Sequence, residues 1–209
     1  STSGTNFKGC NIRYYWQCLE PTKDNYDFSR IRSHRNTLAA IGKRLIIQVQ
    51  ERKGGGPTSF VNYVLPTYLT NGSDSAYDGG YYLESGHVMG PKIWVPAVMT
   101  RFIKLLQALG AEFNSDPWVE MVLIEETSLF NQTPVPSGYT SSAMQTQYYR
   151  LADAIAPAFP NTVCEIMTNW SPSDSGGQTT LRNWIDYFIS KRVAVGGPDL
   201  HPDGNTWGS

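Results

Sequence analysis

Two neighbouring glutamates, Glu125 and Glu126, end an apolar run in the stretch MVLIEETSLF, residues 121–130. A carboxyl fixed at the end of a buried strand can give or take a proton at a defined place, which is general acid–base chemistry. Successive strand side chains point to opposite faces, so one of the two points fully to a given side and the other does not. Alternatively, one of the pair is an ion-pair partner for Arg13 or Arg44. Other polar residues are placed to share a site with them. Gln48 and Gln50 alternate with Val49 at the end of a second run, RLIIQVQ, and so share a face. Asn169 and Trp170 close a third, TVCEIMT, which also holds Glu165 before its end. Asp199 and His201 stand in GGPDLHP, as substrate contacts, as an acid–base pair, as metal ligands needing a third such as Glu126, or simply as part of a turn. Trp16 and Glu20 come from a run near the start; Glu20 precedes Pro21 and reads as a residue that fixes the following loop.

Strands and helices must alternate to hold these residues. Apolar runs at Ile12–Leu19, Arg44–Gln50, Val119–Ile124 and Thr162–Thr168, with a last one in RVAVGG, read as strands. Between them lie helical patterns. One is capped by Asp27 or Ser29 and runs to about Ile41, ended by Gly42. One is WVPAVMTRFIKLLQALG, with Pro96 in its first turn and Gly110 as its stop. The others are about Ser142–Phe159 and TTLRNWIDYFISK. Near-continuous apolar strands alternating with helices predict an α/β fold with a parallel sheet buried on both faces. An open doubly wound sheet and part of a (β/α)8 barrel both fit. The first strand ends in WQCLEP rather than a glycine-rich phosphate turn, which argues against a nucleotide-binding sheet. Residues 51–92 read as one long loop at the C-terminal face of the sheet. It is rich in aromatics, including Tyr63, Tyr68, Tyr77, Tyr81 and Tyr82, with His87 among them and Trp94 just after its end. They either glue the loop down or form a wall of stacking rings.

Composition narrows the partners. The chain has 209 residues, which suits one domain or most of a larger one. A net charge of −1 without a basic stripe counts against nucleic acid. No apolar run approaches the ~20 residues of a membrane span. The three cysteines, Cys10, Cys18 and Cys164, lack zinc or C-x-x-C spacing and read as free or buried thiols. Twelve Tyr and six Trp against 17% charged residues suit surfaces that stack on sugars, and suit protein interfaces equally. No cofactor is expected. Localisation stays open, with a secreted or periplasmic one favoured.

The phrase YYWQCLEPTKDNYDFSRI, followed by a helix, GKR and an apolar strand, resembles the second strand, helix and third strand of clan A glycoside hydrolases. The stretch from WVPAVMTRF to VEMVLIEETSL is similar to the next helix and the fourth strand. In that clan the fourth strand ends in the acid/base glutamate, usually as Asn-Glu. AVGGPDLHP looks like a sixth strand of bacterial proteins with a glycosidase-like barrel, a branch apart from the well-defined enzyme families. The resemblance implies a TIM-barrel-like fold that is partial, supplying about five strands, the second to the sixth. It implies hydrolysis of an O-glycosyl bond in an oligo- or polysaccharide by two carboxyls, with Glu126 as acid/base. Glu125 stands where the clan has asparagine, to hold a sugar hydroxyl or tune its neighbour. Trp16, Gln48, Gln50, Asn169, Trp170, Asp199 and His201 are then candidate substrate contacts. The clan's nucleophile belongs to a seventh strand, outside this chain on that registration. Five strands do not close an eight-stranded barrel, so a fragment, or pairing of open edges with a further segment or a second copy, is expected. Two other readings remain: a non-catalytic carbohydrate-binding or assembly domain on a degenerate barrel, and a metal-assisted hydrolase using Glu126, Asp199 and His201.

Overall fold

Runs of β-branched and large apolar residues form parallel strands here because both their faces can be covered. The structure, a computed structural model, describes residues 6–54, 61–84, 88–127, 135–169 and 178–197. In chain order it contains β1 (Gly9–Tyr15), α1 (Trp16–Leu19), α2 (Ser29–Ala39), β2 (Arg44–Gln50), β3 (Lys53–Gly54), α3 (Val61–Val64), α4 (Thr67–Thr70), β4 (Tyr81–Glu84), β5 (Val88–Pro91), α5 (Pro96–Phe113), β6 (Val119–Ile124), α6 (Ser141–Ala158), β7 (Val163–Met167), α7 (Gln178–Ser190) and β8 (Ala194–Gly196). Five strands form one parallel sheet in the order β1-β2-β6-β7-β8. Sheet order follows chain order throughout. A doubly wound sheet reverses its order at a switch point, and this one does not. The fold is α/β, an arc of a parallel (β/α) barrel.

Register divides the sheet into two faces. Tyr14, Val49, Ile124, Ile166 and Val195 lie in one row across the strands. The first four are buried, in one core with Phe102 and Leu106 of α5 and Met144 and Leu151 of α6. The neighbouring row is Arg13, Gln48, Leu123, Glu165 and Ala194, on the opposite face. Leu123 is buried yet lies outside that core. Such rows are the layers that fill a barrel's interior.

Three boundaries differ from the sequence reading by about three residues or more. The first strand ends at Tyr15, and Trp16–Leu19 form a helical turn. The Glu20 amide donates to the Trp16 carbonyl and the Trp16 indole to the Glu20 side chain, which closes that turn. The strand begins earlier, at Gly9, where a Cβ would overlap the Arg44 carbonyl of β2. Helix α5 passes through Gly110 instead of stopping there. Gly110 is a packing residue: a Cβ would overlap the Ala158 carbonyl at the end of α6.

The segment read as one long loop has its own architecture. Strands β3, β5 and β4 pair antiparallel in that order, accompanied by α3, α4 and a 3-10 turn at Ser75–Tyr77. These elements are too short for a readable period. Most of the aromatics serve as glue. Tyr77, Tyr82 and Trp94 are buried, while Tyr63 is exposed and His87 lies outside the described residues. Trp94 packs on Tyr82 and edge-on to Tyr139, and its indole donates to the Ser137 carbonyl. The insert is thereby joined to the stretch that leads into α6.

Candidate active site

Strand alternation stops at Ile124, where β6 ends. The two following carboxylates therefore turn to opposite neighbours in the sheet. Glu125 accepts from the Gln48 amide of β2 (Nε2 to Oε1, 2.6 Å). Glu126 accepts from the Asn169 amide just past β7 (Nδ2 to Oε2, 2.8 Å). Gln48 is held in turn by Arg13 of β1, whose Nε donates to its Oε1 at 3.4 Å. The strands thus carry two adjacent hydrogen-bonded groups, Arg13–Gln48–Glu125 and Asn169–Glu126. Glu125 is buried and Glu126 is partly exposed, so Glu126 is the carboxylate within reach of an incoming molecule.

Burial raises the Glu125 carboxyl above its ordinary range. The Gln48 hydrogen bond and the charges of Arg52 and Arg13 oppose this rise, and the neighbouring Glu126 reinforces it. One strand away, Glu51 and Arg52 follow β2 and are both buried. Arg52 places two nitrogens on a single oxygen of Glu51, Nε and Nη2 each 3.2 Å from Oε1. The other oxygen, Oε2, is buried without a hydrogen-bond partner. Glu51 is pushed up to about 7, first by burial and further by the charge of Glu125, against the pull of Arg52. Tyr148 of α6 is raised above the ordinary phenol range by burial and lies in the same electrostatic neighbourhood. Glu165, on the inner row of β7, is also raised by burial. Its carboxylate lies against Gly196 of β8, where a Cβ would overlap it.

The candidates from the sequence divide into three groups. Glu125, Glu126, Gln48 and Asn169 are brought together. Gln50 sits beside them at the end of β2, buried and in register with Tyr15. Trp16 is a correction. It is fully buried against Phe102, its indole donating to Glu20 at 2.8 Å, so it has no surface to offer a sugar. Trp170, Asp199 and His201 lie outside the described residues. Among the described residues no three His, Cys, Asp or Glu gather as a metal site. Arg44 pairs with Glu120 and not with the glutamate pair. Glu20 fixes its loop as expected, accepting from the Asp24 amide, the Tyr68 hydroxyl and Arg101.

Sequence reasoning missed Glu51 and Arg52. A signal was present: QVQER places two charges directly after an apolar strand, at the same end as the glutamate pair. Read as the first residues of a loop, they were given no role.

No protein-family model matches the chain, and no curated protein does. Solved structures do. Endo-glycoceramidase II from Rhodococcus sp. matches with a TM-score of 0.54 at 14% identity, over 90% of this chain and 54% of that one. A GH10 xylanase from Bispora sp. MEY-1 gives 0.56 at 11% identity, over 92% and 53%. A β-galactosidase from Bacillus circulans sp. alkalophilus gives 0.56 at 8% identity, over 94% and 36%. The chain thus has the fold of the glycoside hydrolase TIM barrels and spans about half the length, or less, of the structures it matches.

Proposed function

We propose that this chain carries the acid/base side of a two-carboxyl glycoside hydrolase site, acting on an O-glycosyl bond of an oligo- or polysaccharide. One observation carries the reading. Glu126 is a partly exposed carboxylate held by Asn169 at the C-terminal end of the middle strand of a (β/α) barrel arc. Active sites of such barrels are built at that end. In this reading Glu126 protonates the leaving oxygen and then activates the second nucleophile. Glu125, Gln48 and Arg13 hold the floor beside it. The second carboxyl is Asp199 or one from beyond this chain.

The test is a series of aryl glycosides of graded leaving-group acidity, with wild type and Glu126→Gln. Loss of general acid catalysis lowers kcat/KM by about 10²–10⁴-fold, most for the poorest leaving groups. A rate unchanged across the series overturns the assignment of Glu126. Oligosaccharide binding with no turnover replaces the enzyme by a non-catalytic binding domain. Turnover abolished by a chelator and restored by a divalent ion replaces it by a metal-assisted hydrolase.

A further inference from the structure

Backbone pairing explains how two adjacent glutamates can serve one site. In a parallel ladder an amide donates to the residue before its partner, as Leu45 does to Trp118 while paired with Val119. Ile124 of β6 pairs with Ile166 of β7. Beyond the strand end, the Thr127 amide donates to the Met167 carbonyl at 2.9 Å, which sets Thr127 opposite Thr168. Glu125 and Glu126 thus stand opposite Met167 alone. An extra residue of this kind is a β-bulge, which re-aims side chains. Thr168 shares the helix-covered face with Ile166, and its partner Thr127 is fully buried. The bulge turns both carboxylates to the other face, the inner one. Their partners agree: Gln48, which holds Glu125, is on the inner row, and Asn169, which holds Glu126, follows Thr168 and so faces inward. Glu165 of β7 belongs to the same inner row as Gln48.

The hydrogen bonds at Glu125 have a fixed direction. Arg13 occupies the Gln48 carbonyl oxygen, so Gln48 turns its amide N–H groups to Glu125. Glu125 is therefore an acceptor. It is 8% exposed. Its Oε1 holds that one bond from a neutral group; its Oε2 takes none from the described residues, yet is not sealed from solvent. The Arg52 guanidinium is taken up by Glu51. A buried carboxylate without an ion pair is costly, and a cation on a ligand would remove that cost. Burial raises the Glu125 carboxyl, and a ligand ammonium opposes the rise.

We propose that the site is built for amino sugars: Glu125 Oε2 receives a protonated amine on the ring carbon next to the bond that Glu126 cleaves. This rests on the reading of Glu126 as acid/base. The two carboxylates are successive residues on one face, about 3.8 Å apart at Cα, a spacing that suits substituents on neighbouring ring carbons. A carboxylate only accepts, so an ammonium gives it a charge-assisted bond and a hydroxyl a weaker one. An acetylated amine brings no charge and needs more room. Glu165, on the same face, adds to the negative field that draws a cation in. The substrate class is an oligo- or polysaccharide of deacetylated 2-amino sugars.

The full 209-residue chain is titrated by calorimetry with oligosaccharides of glucosamine, of N-acetylglucosamine and of glucose, all of equal length. Glu126→Gln is the background, so that binding is read without turnover. The glucosamine oligosaccharide is expected to bind at least about tenfold more tightly than the other two, and adding Glu125→Gln is expected to abolish that margin. Should Glu125→Gln not fold, Glu125→Asn, which installs the residue of the resembled clan, takes its place. Equal affinities, tighter binding of the acetylated or the hydroxyl sugar, no binding of any, or an amine preference untouched by the Glu125 variant overturns the proposal. The acid/base reading fails separately, if Glu126→Gln turns over aryl glycosides as the wild type does; the binding comparison still decides the amine preference.

Discussion

Two buried acids stand at the C-terminal ends of neighbouring strands and are treated differently. Glu20, after β1 and α1, has donors on both oxygens. Trp16 and Tyr68 serve Oε2 at 2.8 Å each, and the Asp24 amide and Arg101 serve Oε1. Glu51, after β2, has one oxygen crowded by Arg52 and the other bare. A fully satisfied buried charge is a rigid joint. An incompletely satisfied one is a group whose charge state can change, and such groups gather at functional sites. The first ties the insert and α5 to the sheet. The second lies beside the glutamate pair.

The comparison can be broken by experiment. The largest effect is expected for Glu20→Ala, which leaves the Arg101 charge buried and strips four donors of their acceptor. Chemical denaturation should show a loss of about 3–5 kcal/mol, flat between pH 5 and 8 because arginine does not titrate there. A loss below ~1 kcal/mol would show that Glu20 is not the joint described. Next is Arg52→Met. Glu51 and Glu125 can take up protons in place of the cation, so the loss should be about 1 kcal/mol or less at pH 5 and roughly 3 kcal/mol at pH 8. A pH-independent loss would put the two clusters in one class.

Wild-type stability supplies the third test. Glu51 is raised from 4.5 to about 7, so the folded chain binds more protons than the unfolded one across that window. Stability from this group is present below pH 4.5 and falls as pH rises towards 7, by on the order of 1–3 kcal/mol. Glu125 and Glu165, also raised, add in the same direction. Denaturation midpoints measured every half unit should fall through this range, and the Glu51→Gln curve should be flatter. The smallest effect is Tyr68→Phe, which removes one of the four donors to Glu20 and costs about 1 kcal/mol. A larger loss would mean that the contact of Tyr68 with Arg101 matters more than its bond to Glu20.

How far the sequence could be read depended on range. β2 and β6 were legible to the residue, because RLIIQVQ and VEMVLI are short, mostly apolar runs rich in β-branched residues and followed by charged ones. The parallel arrangement followed from those runs and the helices between them. Glu125, Glu126, Gln48 and Asn169 were legible as strand-end residues, since position at a strand end is local information. Their pairing was not. Gln48 and Glu125 are 77 residues apart, and Asn169 and Glu126 are 43 apart. Glu51 was missed because its significance lies in a bare buried oxygen, which no local pattern shows. Trp16 was misread because a strand continued through it on paper, whereas a side-chain bond four residues ahead turns the chain there. Gly110 was misread because a glycine looks the same whether it ends a helix or lets another helix come close.

The insert has a consequence for how the chain folds. Sheet order equals chain order, so each strand of the arc docks on the one made just before it. All of these closures but one span an ordinary helix crossover. The exception joins β2 to β6, with the insert between them. That connection is about twice the length of the others, and a doubling of loop length adds only about 0.6 kcal/mol of closure entropy. The equilibrium penalty for carrying the insert is therefore small, while the kinetic one is larger, because non-local contacts form late. Docking of β6 on β2 is therefore the step expected to limit the folding rate, which refolding kinetics of the chain with the insert shortened would check. That is also the step that first brings Glu125 beside Gln48, so the Arg13–Gln48–Glu125 group is assembled when the arc itself becomes continuous.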